Sequence, residues 1–236
     1  MTQVPTPTEE VQAVGWVHER VREGGALPLA ELEVTATAIF AALRAAPLNI
    51  LPRVPLTNMD DYPAVHAVNV AGLAMALAQQ VQFDDATARR IGLTALLYDI
   101  GMALIPLELL AKPGQISAEE RERVTQHPVQ GARLILNADA MLDEAAIVAY
   151  EHHIKTDGSG YPELTYRRPT HYLTRLIQLC DIYHALRSPR PFRPAWPAEI
   201  VSSFLTERAG FEFHPALSSS LTAMMRQYEG NGEWTD

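Results

Sequence analysis

Six polar side chains interrupt otherwise apolar stretches of this sequence: His66, Asp99, His127, His152, His153 and Asp181. Imidazole is a common metal ligand and titrates near neutral pH. A carboxylate in apolar surroundings is costly unless it is paired or bound to a cation. Four histidines and two aspartates near helix ends therefore form a ligand set suited to one or two transition metals. The spacings are not diagnostic alone, since there is no His-Glu-x-x-His and no Cys-x-x-Cys. Taken singly, each histidine reads as a satisfied core or surface residue. The densest stretch is residues 151–162, Glu-His-His-Ile-Lys-Thr-Asp-Gly-Ser-Gly-Tyr-Pro. Adjacent helical residues diverge by about 100°, so His152 and His153 are predicted to point apart. One would ligate while the other holds a second metal or orients the site.

The elements that must position these groups are predicted to be helices. His66 falls in the first turn of a helix over 64–82, with Pro63 at its start and Asp60 or Asp61 near the N-cap. A helix from Asp85 to Tyr98 delivers Asp99 to a turn at Gly101. Pro106 opens a short helical segment. Ser117-Ala118-Glu119-Glu120 is a capping box. The chain breaks or restarts at His127-Pro128 and is helical over 129–137. Helices follow at 141–153, 172–186 (containing Asp181), 197–209 and 215–227. The loop 155–170 carries Gly158, Gly160 and Pro162, and Pro189 to Pro197 is read as a second loop. Two helices, 9–21 and 30–45, come first and carry no ligand cluster. No period-2 stretch is long enough for a sheet. The expected fold is all-α: an N-terminal helical extension (1–55), a multi-helix domain (56–228) and a tail (229–236).

The 236 residues are 47% hydrophobic, ample for one large core, and the net charge is −9. An acidic chain does not attract polyanions broadly, so general nucleic-acid binding is not expected. The longest apolar run, Val70 to Ala78, is too short to span a bilayer. One cysteine, Cys180, admits no intrachain disulfide and reads as core packing. A cytoplasmic protein is expected.

The motifs resemble the HD-GYP branch of the HD superfamily of metal-dependent phosphohydrolases. Tyr98-Asp99-Ile100-Gly101 is similar to its His-Asp-x-Gly pair. Ile105-Pro106, Leu110 to Gly114, Glu119 and His127 to Gly131 continue in register. His152 to Pro162 is similar to the long motif for which the branch is named. Arg175 to Ile177, Asp181 to Tyr183 and Arg190 to Arg193 resemble its closing segment, so the likeness spans roughly 60–217. The resemblance implies an HD-type helical domain binding two or three ions of iron or manganese, with Asp99 bridging two of them. It implies water activated for attack on phosphorus and hydrolysis of cyclic di-GMP to the linear dinucleotide or GMP. Ligand roles fall on His66, Tyr98, Asp99, His127, His152, His153 and Asp181. The Gly158, Gly160, Tyr161, Pro162 loop would lie beside the substrate, and the resemblance implies contacts with GGDEF proteins.

Three departures qualify this. Tyr98 stands where the family has histidine, and a neutral phenol is a poor ligand. Met102 stands where it has lysine, and cannot stabilise a charge developing in the transition state. His184, three residues after Asp181, stands where the family often has aspartate. It reads as a surface group, with a replacement ligand as the alternative. Lys155, Arg175 and Arg190 read equally as phosphate contacts or solvated surface. His18, His171 and His214 have no motif support. The N-terminal helices read as a helical cap or a homodimer face. The expected function is a degenerate member that binds metal, cyclic di-GMP or a partner protein with weak or no hydrolysis. The alternative is an active phosphodiesterase with a reduced metal centre. A third option is hydrolysis of another nucleotide.

Overall fold

The computed structural model describes residues 8–45, 61–110, 112, 114–166, 168–189 and 193–229. Eleven α-helices lie in chain order among them: α1 (Thr8–Arg22), α2 (Leu29–Ala45), α3 (Tyr62–Gln80), α4 (Asp85–Leu97), α5 (Leu107–Leu110), α6 (Ala118–Val124), α7 (His127–Ala138), α8 (Asp143–Glu151), α9 (Tyr172–Arg187), α10 (Ala198–Glu207) and α11 (Pro215–Glu229). A 3₁₀ turn, Ile100–Leu104, follows α4. No strand forms among the described residues, only isolated bridges at Ile154–Gly160 and Ala209–Phe213. The chain is all-α, as the periodicity predicts.

α3 is the axle of the fold. From Ala64 to Ala78 every residue is buried, because the segment contains no Asp, Glu, Lys or Arg. A helix apolar all round requires neighbours on every side. It is packed by α1, α2, α4, α9 and α11. Val14, Val17, Leu32, Ile39 and Leu43 of α1 and α2 join the same core as Leu73, Leu77, Ile177 and Met225. Two polar residues on this axle, His66 and Asn69, are buried with it. They must find partners inside the protein.

Local signals set the helix ends. Ser117 and Glu120 form the capping box, with Ser117 Oγ accepting from Glu120 N at 3.2 Å and Glu120 Oε2 accepting from Ser117 N at 2.7 Å. Asp84 caps α4 by accepting from Thr87 N at 2.7 Å. Pro128 sits in the first turn of α7, where a missing N–H costs nothing. Asp61 occupies the N-cap of α3 but makes no side-chain capping bond, so Pro63 rather than a cap defines that start. No helix among the described residues is long and apolar enough to cross a membrane.

Candidate metal centre

α3, the α4–3₁₀ junction, the start of α7, the end of α8 and the middle of α9 bring the six predicted residues together. They separate into two groups with opposite character.

The first group is closed by hydrogen bonds. Asn69 Nδ2 lies 2.9 Å from His184 Nε2, and the two Nδ1 atoms of His184 and His66 are 2.7 Å apart. An amide nitrogen can only donate, so His184 carries its proton on Nδ1 and donates it to His66. His66 then carries its own proton on Nε2, which lies 2.8 Å from Asp181 Oδ1 and 2.9 Å from Tyr98 Oη. Tyr98 also donates to Asp181 Oδ1, at 3.1 Å. Tyr62, one turn before His66, stacks on its ring and places its hydroxyl 3.1 Å from Nδ1. Burial pushes the Asp181 carboxyl up, but the His66 hydrogen bond and the surrounding charges outweigh it and hold the group below the usual range. Burial, with Asp181 and Asp99 nearby, pushes the Tyr98 phenol well up, so it stays neutral. In this proton arrangement His66 offers no lone pair toward Asp181 and Tyr98.

His184 corrects an expectation. It is 4% exposed rather than a surface group, because the face of α9 that carries it packs on α3 beside Asn69. No sequence signal distinguishes that face, since α9 is buried on most sides.

The second group is open. His127 Nδ1 bonds to Val124 O at 2.7 Å, and His152 Nδ1 to Ala149 O at 2.8 Å. A carbonyl only accepts, so both rings are protonated at Nδ1 and present bare Nε2 atoms. Those atoms face each other at 3.1 Å. Asp99 Oδ1 lies 3.3 Å from the first and 3.8 Å from the second. That oxygen is closed to water and receives no hydrogen bond. Burial and then Asp181 push the Asp99 carboxyl well above its normal range. Burial holds His127 down to about 4 and His152 well below its normal value, so both stay neutral. The bare Nε2 atoms of His127 and His152 converge on the Asp99 carboxyl, whose raised pKa reflects the missing positive charge, and the three form a donor set for a cation.

His153 belongs to this second group. Its ligand atom and those of His127 and His152 all lie within 4.8 Å of one another. The expected divergence of His152 and His153 fails because α8 ends at Glu151. His152, the C-cap, still bonds its N–H to Val148 O, and His153 lies in the turn that follows, where the chain leaves the helix. Their ring centroids are 4.2 Å apart.

Two residues that sequence reasoning missed hold this turn. Gln178 Nε2 donates to His152 O at 3.0 Å. Glu151, fully buried, accepts from His171 N at 2.7 Å and Thr174 Oγ1 at 3.0 Å and pairs with Arg168. Glu151 had one legible sign, a carboxylate ending an apolar helix. Gln178 had none.

The loop after the histidines folds back on them. Lys155 N donates to Ser159 O, and Tyr161 N to His153 O at 3.3 Å. Gly160, at φ +102°, allows this, because a Cβ there would lie 2.0 Å from His153 O. Tyr161 is thereby stacked on His153, with centroids 4.4 Å apart, and edge-on to His127. Pro162 follows it. Gly158, at φ +83°, turns the loop beside Asp157, whose Oδ1 accepts from Ser159 N at 2.9 Å.

Two of the cations weighed as phosphate contacts have partners within the chain. Lys155 Nζ pairs with Glu212 at 3.0 Å. Arg175 Nε donates to Thr170 Oγ1 at 3.1 Å. Arg190 lies outside the described residues. Met102 is half-buried in the 3₁₀ turn and brings no charge. Cys180 is buried, and burial pushes its thiol well up, as befits a core residue. His171 caps α9 by accepting from Leu173 N, and His214 packs edge-on to Tyr172.

The distance from Asp99 to His127 depends on a backbone contact. A Cβ on Gly101 would lie 2.0 Å from His127 O and 2.8 Å from Gly131 N. Gly101→Ala is therefore expected to destabilise the fold by about 3 kcal/mol, through overpacking against rigid backbone, and to weaken metal binding as Asp99 is pushed from His127. Urea denaturation of the metal-free protein checks the first effect, and an unchanged midpoint would refute it.

A family model described as HD domain matches residues 50–216. The chain belongs to the HD domain family, in its HD-GYP branch. It is 34% identical over 177 residues to the cyclic di-GMP phosphodiesterase PA4108 of Pseudomonas aeruginosa, covering 75% of this chain and 43% of that protein. It is 30% identical to the cyclic di-GMP phosphodiesterase response regulator RpfG of Xanthomonas campestris, covering 68% and 42%. It is 29% identical to the 3'3'-cGAMP-specific phosphodiesterase 3 of Vibrio cholerae, covering 72% and 37%. The chain thus spans less than half the length of these relatives. Among solved structures, Bd1817, a HDG"Y"P protein from Bdellovibrio bacteriovorus, has a TM-score of 0.71 at 19% identity, covering 92% of this chain and 69% of that one. That likeness shows a shared fold.

Proposed function

We propose that this chain binds a cyclic dinucleotide at a centre holding a single metal ion, with weak or no hydrolysis. The observation that carries the reading is the contrast between the two groups. His127 and His152 turn bare Nε2 atoms toward Asp99, while His66, Tyr98 and Asp181 satisfy one another. Asp99, His127 and His152 would hold the metal, with His153 beside them. Two imidazoles and a carboxylate suit iron or manganese, the metals implied by the resemblance. When bound, such an ion supplies Lewis acidity toward a phosphoryl oxygen and lowers the pKa of water. Tyr98 keeps the other half shut, and Met102 contributes no charge to a developing oxyanion. The relatives' names point to cyclic di-GMP as the ligand, with 3'3'-cGAMP as the neighbouring chemistry. Tyr161, stacked on His153, presents an aromatic edge beside the centre for a base or sugar.

The alternative, an active phosphodiesterase with a reduced centre, is favoured by the intact Asp99–His127–His152 group. One experiment separates the two. The protein is loaded with manganese or anaerobic iron and desalted, and its metal content is measured. Nucleotide binding is followed by calorimetry, and products by chromatography. A single ion, measurable binding and little linear dinucleotide or GMP is the expected result. Rapid turnover would establish the alternative, and no binding of either cyclic dinucleotide would remove both.

A further inference from the structure

The stretch from His153 to Tyr161 folds as a hairpin whose tip is tied to a distant part of the chain. Ile154 and Gly160 bridge its two arms, and Lys155 N donates to Ser159 O at 2.8 Å nearer the tip. Its base carries His153 and Tyr161, joined by the hydrogen bond from Tyr161 N to His153 O and by their stacked rings. Its tip lies against the turn between α10 and α11. Asp157 N donates to Phe211 O at 3.0 Å, and Thr156 Oγ1 to Glu212 O at 3.1 Å. Phe213, the next residue of that turn, is 2% exposed and joins the core with Leu205 and Leu217. The turn is thus fixed to the body of the domain, and the hairpin tip is fixed to the turn.

Those two contacts use backbone carbonyls, which any residue supplies. The Glu212 side chain adds a contact that depends on residue type. Its Oε1 lies 3.0 Å from Lys155 Nζ, and its Oε2 lies 3.0 Å from Arg208 Nη1. The carboxylate is 11% exposed, and an enclosed carboxylate is costly unless it is paired. Arg208, four residues before it, already supplies a partner from the same turn. Lys155 is a second one, reached across the fold, two residues after His153. A partly enclosed ion pair adds little net stability, because desolvation and screening offset its attraction. Its effect here falls on geometry.

We propose that Glu212 is a positioning residue: through Lys155 it fixes the hairpin, and with it the His153–Tyr161 pair beside the metal centre, in the arrangement that receives the ligand. The proposal rests on the reading above, that the ligand is a cyclic dinucleotide. It gives Lys155 a role other than phosphate contact, since its charge holds the hairpin to the α10–α11 turn.

The test is cyclic di-GMP affinity of the manganese-loaded full chain, by calorimetry. Glu212→Lys sets a like charge beside Lys155 and Arg208 and is expected to weaken binding by about tenfold. The charge-swapped chain, Glu212→Lys with Lys155→Glu, restores the pair and is expected to return to within about threefold of the parent. That rescue separates positioning from a general loss of fold. It also separates positioning from direct phosphate contact by Lys155, because the swap would put a carboxylate against the phosphate. Arg208→Gln leaves Lys155 held and is expected to stay within about twofold of the parent. Parent-like binding by Glu212→Lys overturns the positioning role and leaves the cyclic-dinucleotide reading standing. A loss that the swap does not restore, or an equal loss in Arg208→Gln, does the same. A parent chain that binds neither cyclic di-GMP nor 3'3'-cGAMP overturns that reading, and the role of Glu212 with it.

Discussion

Asp99→Asn is expected to abolish stoichiometric metal binding while leaving the metal-free fold at least as stable as the parent. Both halves follow from one oxygen. Asp99 Oδ1 is closed to water, receives no hydrogen bond and faces two bare imidazole nitrogens. A buried carboxylate without a donor is unfavourable in the metal-free state. Asparagine removes the charge, and its amide N–H₂ can donate to His127 Nε2 or His152 Nε2. The same change removes the only anionic ligand of the group. The expected loss of metal affinity exceeds the roughly 10–100-fold that follows from removing an outer partner of a ligand. Metal analysis after dialysis, with thermal melting in chelator, checks the two parts separately. Retention of metal at the parental stoichiometry would exclude Asp99 as a ligand. A clearly lower melting temperature in chelator would show that Asp99 is satisfied in the metal-free protein.

Tyr98→His is expected to raise the metal content from one ion per chain to two, and Tyr98→His with Met102→Lys to raise phosphodiester hydrolysis on the order of a hundredfold, the scale of a single oxyanion-stabilising donor. Tyr98 is fully buried and donates to Asp181 while lying 2.9 Å from His66 Nε2. Its phenol keeps the carboxylate and the imidazole in hydrogen bonds. Histidine in its place supplies a nitrogen lone pair and releases Asp181 from the phenolic hydrogen. Tyr98→Phe is the control. It removes the hydroxyl and adds no ligand, so it costs about 1–2 kcal/mol of stability and gains no metal. Metal counting and product chromatography on the three variants decide the matter. Two ions already present in the parent would show that the hydrogen-bonded group opens for metal despite Tyr98.

Most of the fold was legible because it rests on local rules. The uncharged, largely apolar run of α3, the capping box at Ser117 and the proline at the start of α7 each announce an element within a few residues. The six polar residues were legible for the same reason, as polar groups where an apolar pattern predicts none. The motif around Gly158 to Pro162 placed the chain in its family. Which of those residues face which was not legible. His184 and Asn69 are 115 residues apart, and the α9 pattern does not tell the face toward α3 from any other. The convergence of His152 and His153 depends on α8 ending one residue before the pair. Helix ends are the least legible feature of a periodic pattern.

The residue types alone determined that this protein is helical and that histidines and aspartates interrupt its apolar pattern. Tertiary structure decided how the set divides. Proton positions are set by partners: the carbonyls of Val124 and Ala149 hold the protons of His127 and His152 on Nδ1, away from the centre. Asn69 and His184 place the proton of His66 on Nε2, facing Asp181. Identical imidazoles thus present bare acceptors in one group and a hydrogen-bond donor in the other. Only the packing of α3 against α9, and of α7 against α8, makes that difference.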